Sequence, residues 1–236
     1  MRIEEVTTKE FAQLVKKDPL VFLPIGATEA HGIHLPLGTD SYQPLALCDA
    51  LAEELGGLVA PLVPYGQHSS TRNMPGTIGL RSGTLRAIVT DIIDSLVRQG
   101  VRKLVIVSGH AGSVHMAAIR EAAEAASVRY EGLRLMFLTD YDIAYKFPLP
   151  ESEFRDGHGG LIETSRILAL KPELVGKKRP RGRFEDKRFM IVANPEVCYP
   201  EGMVGDATKA TAELGNKIND FIFEEMVRLI RQNFGV

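Results

Sequence analysis

Between Ile25 and Asp40 the chain reads IGATEAHGIHLPLGTD, which brings Glu29, His31, His34 and Asp40 into one short segment. Glu29 and His31 are separated by one residue. In extended backbone, alternate side chains share a face, so this carboxylate and imidazole can aim at one point. Gly26 and Gly32 allow the chain to turn around them. Asp40 returns at the start of the next helical pattern. Carboxylate and imidazole together suit zinc, manganese or iron. Singly, Glu29 reads as a solvated loop residue, His31 as a satisfied polar group and Asp40 as a helix N-cap. Taken together, with no cysteine ligand competing, metal binding is the better reading.

Two further segments carry similar chemistry. His110 stands between Gly109 and Gly112 in VIVSGHAGS, at the end of an apolar run. It reads as a third strand-end ligand, as part of an anion loop at a helix start, or as a structural histidine. The anion loop lacks the lysine and spacing of a P-loop. DGHGGLIETS supplies Asp156, His158 and Glu163. Glu163 reads as a second carboxylate ligand with a histidine nearby for proton transfer, or as an acidic residue favoured in a first helical turn. His34 either lines the site or stacks on Pro36, and His68 is placed against substrate. His115 reads as a helix-surface residue or a subunit contact. There is no GxSxG, and Cys48 falls on the apolar face of a helix, as a core residue does.

These groups must be held by a scaffold, and the hydrophobic pattern describes one. Apolar runs at Leu20–Gly26, Leu58–Gly66, Arg102–Gly109 and Leu133–Asp142 predict strands. Helical spacing predicts helices from Asp40 or Ser41 to Gly56, over 82–100, over Val114–Val128, from Gly160 onward and over Ala207–Arg231. Such alternation argues for an α/β fold with a mostly parallel sheet flanked by helices. Ligands in such sheets bind beyond the carboxyl ends of the strands. All six histidines fall in loops or helix starts just downstream of predicted strands. That gathering indicates one shared site. The basic stretch Lys171–Arg188 is expected to be a loop within one domain spanning 1–236.

Composition excludes several classes. The 236 residues carry a net charge of −2, with 44% hydrophobic and 25% charged residues, so neither nucleic acid nor an anionic membrane is an expected partner. No run approaches the length of a spanning helix, and the N-terminus lacks the apolar core of a signal peptide. Two distant cysteines suit a reducing compartment. A cytoplasmic location is expected.

PIGATEAHGIHLPLGTD closely resembles the signature of the creatininase (creatinine amidohydrolase) family. VPYGQHSSTRNMPGTI, VIVSGHAGS, HGGLIETS with LKPELV, and GMVGDATKATAELG agree with it in order. The resemblance implies a creatininase-like α/β fold, a homo-oligomer (commonly a hexamer) and a two-metal hydrolase of C–N bonds other than ordinary peptide bonds. It implies Glu29 and His110 as ligands of one metal, His31 as a ligand of the other, Asp40 as the bridge and His158 in proton transfer. A glutamate ligand usual in creatininases is replaced here by Gly112, and Glu163 is the candidate substitute, as ligand or base. Ser108 and Ser113 stand where asparagines would orient the site. His34, His68, Ser108 and Tyr145 are assigned to substrate contact. Creatinine-specific members cover the ring with tryptophans, and this chain has none. The loop from about Tyr141 to Arg155 offers Tyr141, Tyr145, Phe147 and Phe154 as a lid instead.

The reaction expected is attack by hydroxide, formed on two divalent ions (Zn, Mn or Fe), at a small cyclic amide or formamide. Two alternatives accompany it, besides a weaker third, the trimming of a modified peptide's end as some family members do. One is a formamide hydrolase for a formylamino-pyrimidine nucleotide in flavin or deazaflavin synthesis, with Arg72 and the basic run on its phosphate. The other is a metal-binding oligomer without catalysis.

Overall fold

The computed structural model describes residues 1–149 and 155–236. Phe154, one of the expected lid aromatics, lies outside the described residues. The elements run α1 (Thr8–Val15), β1 (Leu20–Ile25), α2 (Thr39–Leu55), β2 (Leu58–Val59), α3 (Ser82–Arg98), β3 (Lys103–Ser108), α4 (Ser113–Arg129), β4 (Arg134–Thr139), α5 (Tyr141–Ala144), α6 (Leu161–Leu170), β5 (Arg181–Gly182), β6 (Gly205–Asp206) and α7 (Ala212–Phe234). Four strands form a parallel sheet in the order β2–β1–β3–β4.

The period of two along each strand divides the core between two faces. Leu20 and Phe22 of β1, with Val105 and Val107 of β3, pack on one side against Leu47 and Leu51 of α2 and against α7. Ile218, Ile222, Met226 and Ile230 recur at four-residue spacing along α7 and are buried there. Val21, Leu23 and Ile25, with Leu104 and Ile106, pack on the other side against Leu85, Val89 and Ile93 of α3 and Ile119 of α4. β1 and the interior of β3, Leu104 to Val107, are therefore apolar on both faces, as expected for a parallel sheet covered on both sides. Burying one such large side chain contributes about 1.5–3 kcal/mol.

The second expected strand is much shorter than its apolar run. Pro24 accepts from Val63 N–H through its carbonyl, so its nitrogen faces the same edge and has no hydrogen to give. Pro61 interrupts the opposite chain. Pairing stops at Val59 and touches again only at an Ile25–Val63 bridge. The segment 64–81 is thereby released to run across the carboxyl ends of the strands.

Other boundaries also shift. α2 is capped by Gly38, which leaves Asp40 inside the first turn. β4 ends at Thr139 and turns directly into the short α5. α7 begins at Ala212 because the Thr211 side chain accepts from Leu214 N–H. The stretch Lys171–Arg188 contains β5, which pairs antiparallel with β6. Among the described residues, no helix is long and apolar enough to cross a membrane.

Candidate metal centre

The carboxyl ends of β1 and β3 form the floor of the site. Two glycines there allow α2 to approach the sheet rim. A Cβ on Gly26 would lie 2.3 Å from Ser41 Oγ, and one on Gly109 would lie 2.2 Å from the Asp40 carbonyl. Any side chain at either position would push the first turn of α2, and Asp40 with it, off the rim.

Asp40 then stands between two imidazoles. Its Oδ1 is 2.9 Å from His31 Nε2, and its Oδ2 is 3.0 Å from His110 Nδ1. Glu29 Oε1 is 2.7 Å from the same His110 nitrogen, and Glu163 Oε2 is 3.5 Å from His31 Nε2. His68 Nδ1 lies 3.1 Å from Glu29 Oε2, and the Thr71 hydroxyl donates to that same oxygen. Three groups of possible ligand atoms result: Glu29, His68 and His110; His31, Asp40 and Glu163; and Glu29, His31 and His158, the atoms of each lying within 4.8 Å of one another.

The tautomers follow from the outer contacts. His31 Nδ1 hydrogen-bonds the Glu29 carbonyl at 3.1 Å, and His110 Nε2 hydrogen-bonds the Gln67 carbonyl at 3.0 Å. The opposite ring nitrogens therefore face the carboxylates. Glu29 Oε1, His31 Nε2 and Asp40 Oδ2 are buried without a hydrogen-bond partner, despite charged neighbours within 3.0 Å. Native interiors rarely leave such atoms unpaired. Carboxylate oxygens and imidazole nitrogens that converge without hydrogen-bond geometry are the arrangement that a shared divalent cation satisfies.

The electrostatics agree. Burial disfavours charge on His31, yet Asp40 and Glu163 raise its pKa to about 10. Burial also opposes charge on His110, but Glu29 and Asp40 hold it well above the ordinary imidazole value. Burial raises Glu29 and Asp40 in turn, and the facing histidines outweigh it and keep both low.

A cleft of about 310 Å³ opens onto this cage, with Glu29, Asp40, His110, His158 and Glu163 at its base. Tyr141, Tyr145 and Tyr199 form part of its wall, with Ser69, Ser70 and Ser113. None of the described lining residues is a lysine or arginine. His158 Nε2 hydrogen-bonds the Ala30 carbonyl at 2.7 Å, and its ring centroid lies 4.1 Å from that of His31.

The expected residues Glu29, His31, Asp40, His110, His158 and Glu163 thus meet in one place, and Tyr145 lies in the cleft wall. Other expectations need correction. His34 is buried away from the cleft, with Nε2 2.8 Å from Thr164 Oγ1. Burial, together with the charge of His31, lowers its pKa to about 4. Ser108 is fully buried and bonds the His110 backbone. His68 belongs with Glu29 rather than at the cleft surface: its ring is buried, with Nδ1 3.1 Å from Glu29 Oε2. His115 lies on no helix surface; it is fully buried. Arg72 does not point to an anion site. Its guanidinium donates to the Ser69, Val192 and Ala193 carbonyls.

A parallel sheet bearing a buried carboxylate–imidazole cage at its carboxyl rim is the architecture of a metal-dependent hydrolase. Comparison with known proteins narrows the class. The family model described as "Creatininase: Creatinine amidohydrolase" matches residues 4–230. Creatinine amidohydrolase of Pseudomonas putida is 32% identical, covering 98% of this chain and 96% of its own. A mycofactocin precursor peptide peptidase of Mycolicibacterium smegmatis is 31% identical, covering 93% and 86%. A manganese form of creatininase superposes with a TM-score of 0.89 at 28% identity, covering 99% and 98% of the two chains. The same figures hold for a Zn–Zn form of a creatininase mutant. The chain belongs to the creatininase family of amidohydrolases.

Proposed function

We propose that this chain is a two-metal amidohydrolase that opens a cyclic amide or formamide C–N bond in a small substrate without a phosphate. The observation that carries this reading is the set of buried, converging atoms at Glu29, His31 and Asp40, which hydrogen bonds leave unsatisfied, with His110 Nδ1 facing two of them. Glu29, His110 and His68 would hold one cation, and His31 and Glu163 the other, with Asp40 facing both. When bound, the ions (Zn, Mn or Fe) supply the charge that acidifies water and polarises an amide carbonyl.

The side chains do the rest. With its Nε2–H held by Ala30, His158 keeps Nδ1 to carry a proton toward the leaving nitrogen. Thr71 and His68 fix the Glu29 carboxylate. Gln43 donates to the Tyr141 hydroxyl at 3.0 Å, and Arg166 lies over the Tyr141 ring, which holds this cleft wall rigid. The tyrosine and serine hydroxyls suit a neutral polar substrate. A nucleotide's phosphate would meet no lysine or arginine among the described lining residues, and Arg72 is engaged with backbone carbonyls.

Metal analysis of purified protein, combined with a panel of cyclic amides and formamides, tests the reading. The expected result is two ions per chain and turnover that chelation abolishes and Zn²⁺ or Mn²⁺ restores. Asp40→Ala is expected to lose both ions and all turnover. Full activity in Asp40→Ala, or in stripped protein, would overturn the mechanism. Metal loading without any turnover would favour the non-catalytic alternative.

The reading extends to a single domain over 1–236 in a cytoplasmic homo-oligomer, with a hexamer as the expected size. Phe189 and Ile191 are almost wholly exposed and Met190 largely so, and self-association would cover an apolar arm of this kind. Light scattering on the eluting protein should return a multiple of the chain mass, and a monomer would contradict it.

A further inference from the structure

The proposed metal site leaves two buried histidines, His34 and His115, without a role. His115 is the third residue of α4 and is fully buried. Its Nδ1 accepts from Gln67 N–H at 3.2 Å, and its Nε2 lies 3.1 Å from Ser108 Oγ. The first contact requires a bare Nδ1, so the proton sits on Nε2 and is donated to Ser108. The Ser108 hydroxyl in turn donates to the His110 carbonyl at 2.7 Å and accepts from His110 N–H at 3.2 Å. Gln67 completes the circuit, because its carbonyl accepts from His110 Nε2 at 3.0 Å.

Every donor and acceptor in this ring of contacts is therefore assigned, and the ring closes on His110 from both sides. One end grips its imidazole and the other its backbone. The fit is also steric. A Cβ on Gly66 would lie 2.9 Å from His115 Nδ1, so the loop reaches the ring only because residue 66 is glycine. The rings of His110 and His115 meet edge to face at 4.8 Å between centroids.

We infer that His115 is a positioning residue for the proposed metal centre: through Gln67 and Ser108 it fixes the tautomer and rotamer of His110 and so directs Nδ1 at the cation. The inference rests on the metal-site reading above. Contacts that orient a ligand in this way typically change metal affinity 10–100-fold when removed. Gln67 and Ser108 transmit the effect, since His115 touches neither Glu29 nor Asp40 through a hydrogen bond.

The test is metal affinity, measured by competition with a chromophoric chelator on folded protein, together with the absorption spectrum of the Co²⁺-loaded form. His115→Leu fills the volume and removes both bonds. It should weaken metal binding about 10–100-fold and alter the Co²⁺ spectrum. His115→Gln can accept from Gln67 N–H and donate to Ser108, and should restore most of the affinity. Wild-type affinity in a folded His115→Leu protein would overturn the inference, as would equal losses in the leucine and glutamine variants. Should His115→Leu fail to fold, Ser108→Ala cuts the same ring at its other link and should weaken binding in the same direction, and an unchanged affinity there would overturn the inference as well. A wild-type protein that binds no metal would instead defeat the proposed function itself.

Discussion

Asp40 offers one carboxylate oxygen to each of two imidazoles, and Glu29 offers its two oxygens to His110 and to His68. His68 is thus placed among possible ligands, whereas the sequence reading set it against substrate. The two roles separate by experiment. His68→Phe should lower metal content at the Glu29–His110 position and reduce kcat, with little change in KM. A substrate contact would raise KM with metal content intact. Metal analysis and steady-state kinetics on one preparation decide between them. Glu29, His31, Asp40 and His110 were legible because each lies within about six residues of the end of a strong strand or at the start of the following helix. His68 and His115 were not legible as partners of that site. Their places depend on a segment from 64 to 81 that has no periodicity and is positioned by distant bonds, such as Ile78 N–H to the Thr28 carbonyl.

Two elements set the precision of the site, and each has a sensitive point. The first is the seat of α2 on the sheet. Gly109→Ala would force its Cβ against the Asp40 carbonyl and Pro44, which a Cβ would approach at 2.2 and 2.5 Å. Overpacking of this kind costs about 1–3 kcal/mol, and the displaced Asp40 should lower metal affinity. Gly83→Ala in α3 is the control, because a Cβ there meets nothing within 4 Å. It should be neutral or stabilising by up to about 1 kcal/mol. Thermal melts and chelator titrations of both variants check the pair. The strand run from Leu58 could not reveal this seat, which depends on glycines of neighbouring strands, whereas Pro61 within the run marks where β2 ends early.

The second sensitive point is the start of α6, which carries Glu163. Asp156 accepts from Leu161 and Ile162 N–H there. Burial raises its carboxyl pKa to about 6, against the lowering effect of those bonds. The folded state therefore holds this proton between about pH 4 and 6 while the unfolded chain has released it, so this group makes stability fall as pH rises across that window. Asp156→Asn removes the contribution. Relative to wild type, the variant's urea midpoint should climb from pH 4 to 6 and then level off. Parallel midpoints across the range would refute the assignment.

At the scale of the whole molecule, two helical layers and a four-stranded sheet converge on one cage, and the alternating hydrophobic pattern made that convergence legible. The pattern does not reveal how the cage balances its charge. His31, with a pKa of about 10, and His110, raised well above its ordinary value, carry protons at neutral pH between carboxylates that remain ionised. This pairing lets the fold bury several acidic groups without a net charge that would unfold it. A cation that takes the facing nitrogens must displace those protons. Loading both positions at pH 7 should therefore release about two protons per chain, and apparent affinity should rise with pH by up to about tenfold per unit at each histidine-linked site. Glu29 and Asp40 contribute no protons, because they are already ionised. Calorimetric titrations with Zn²⁺ or Mn²⁺ in buffers of different ionisation enthalpy count the protons directly. A binding enthalpy independent of buffer, with affinity flat from pH 6 to 8, would show that the imidazoles are neutral before the metal arrives and that the carboxylates are balanced in some other way.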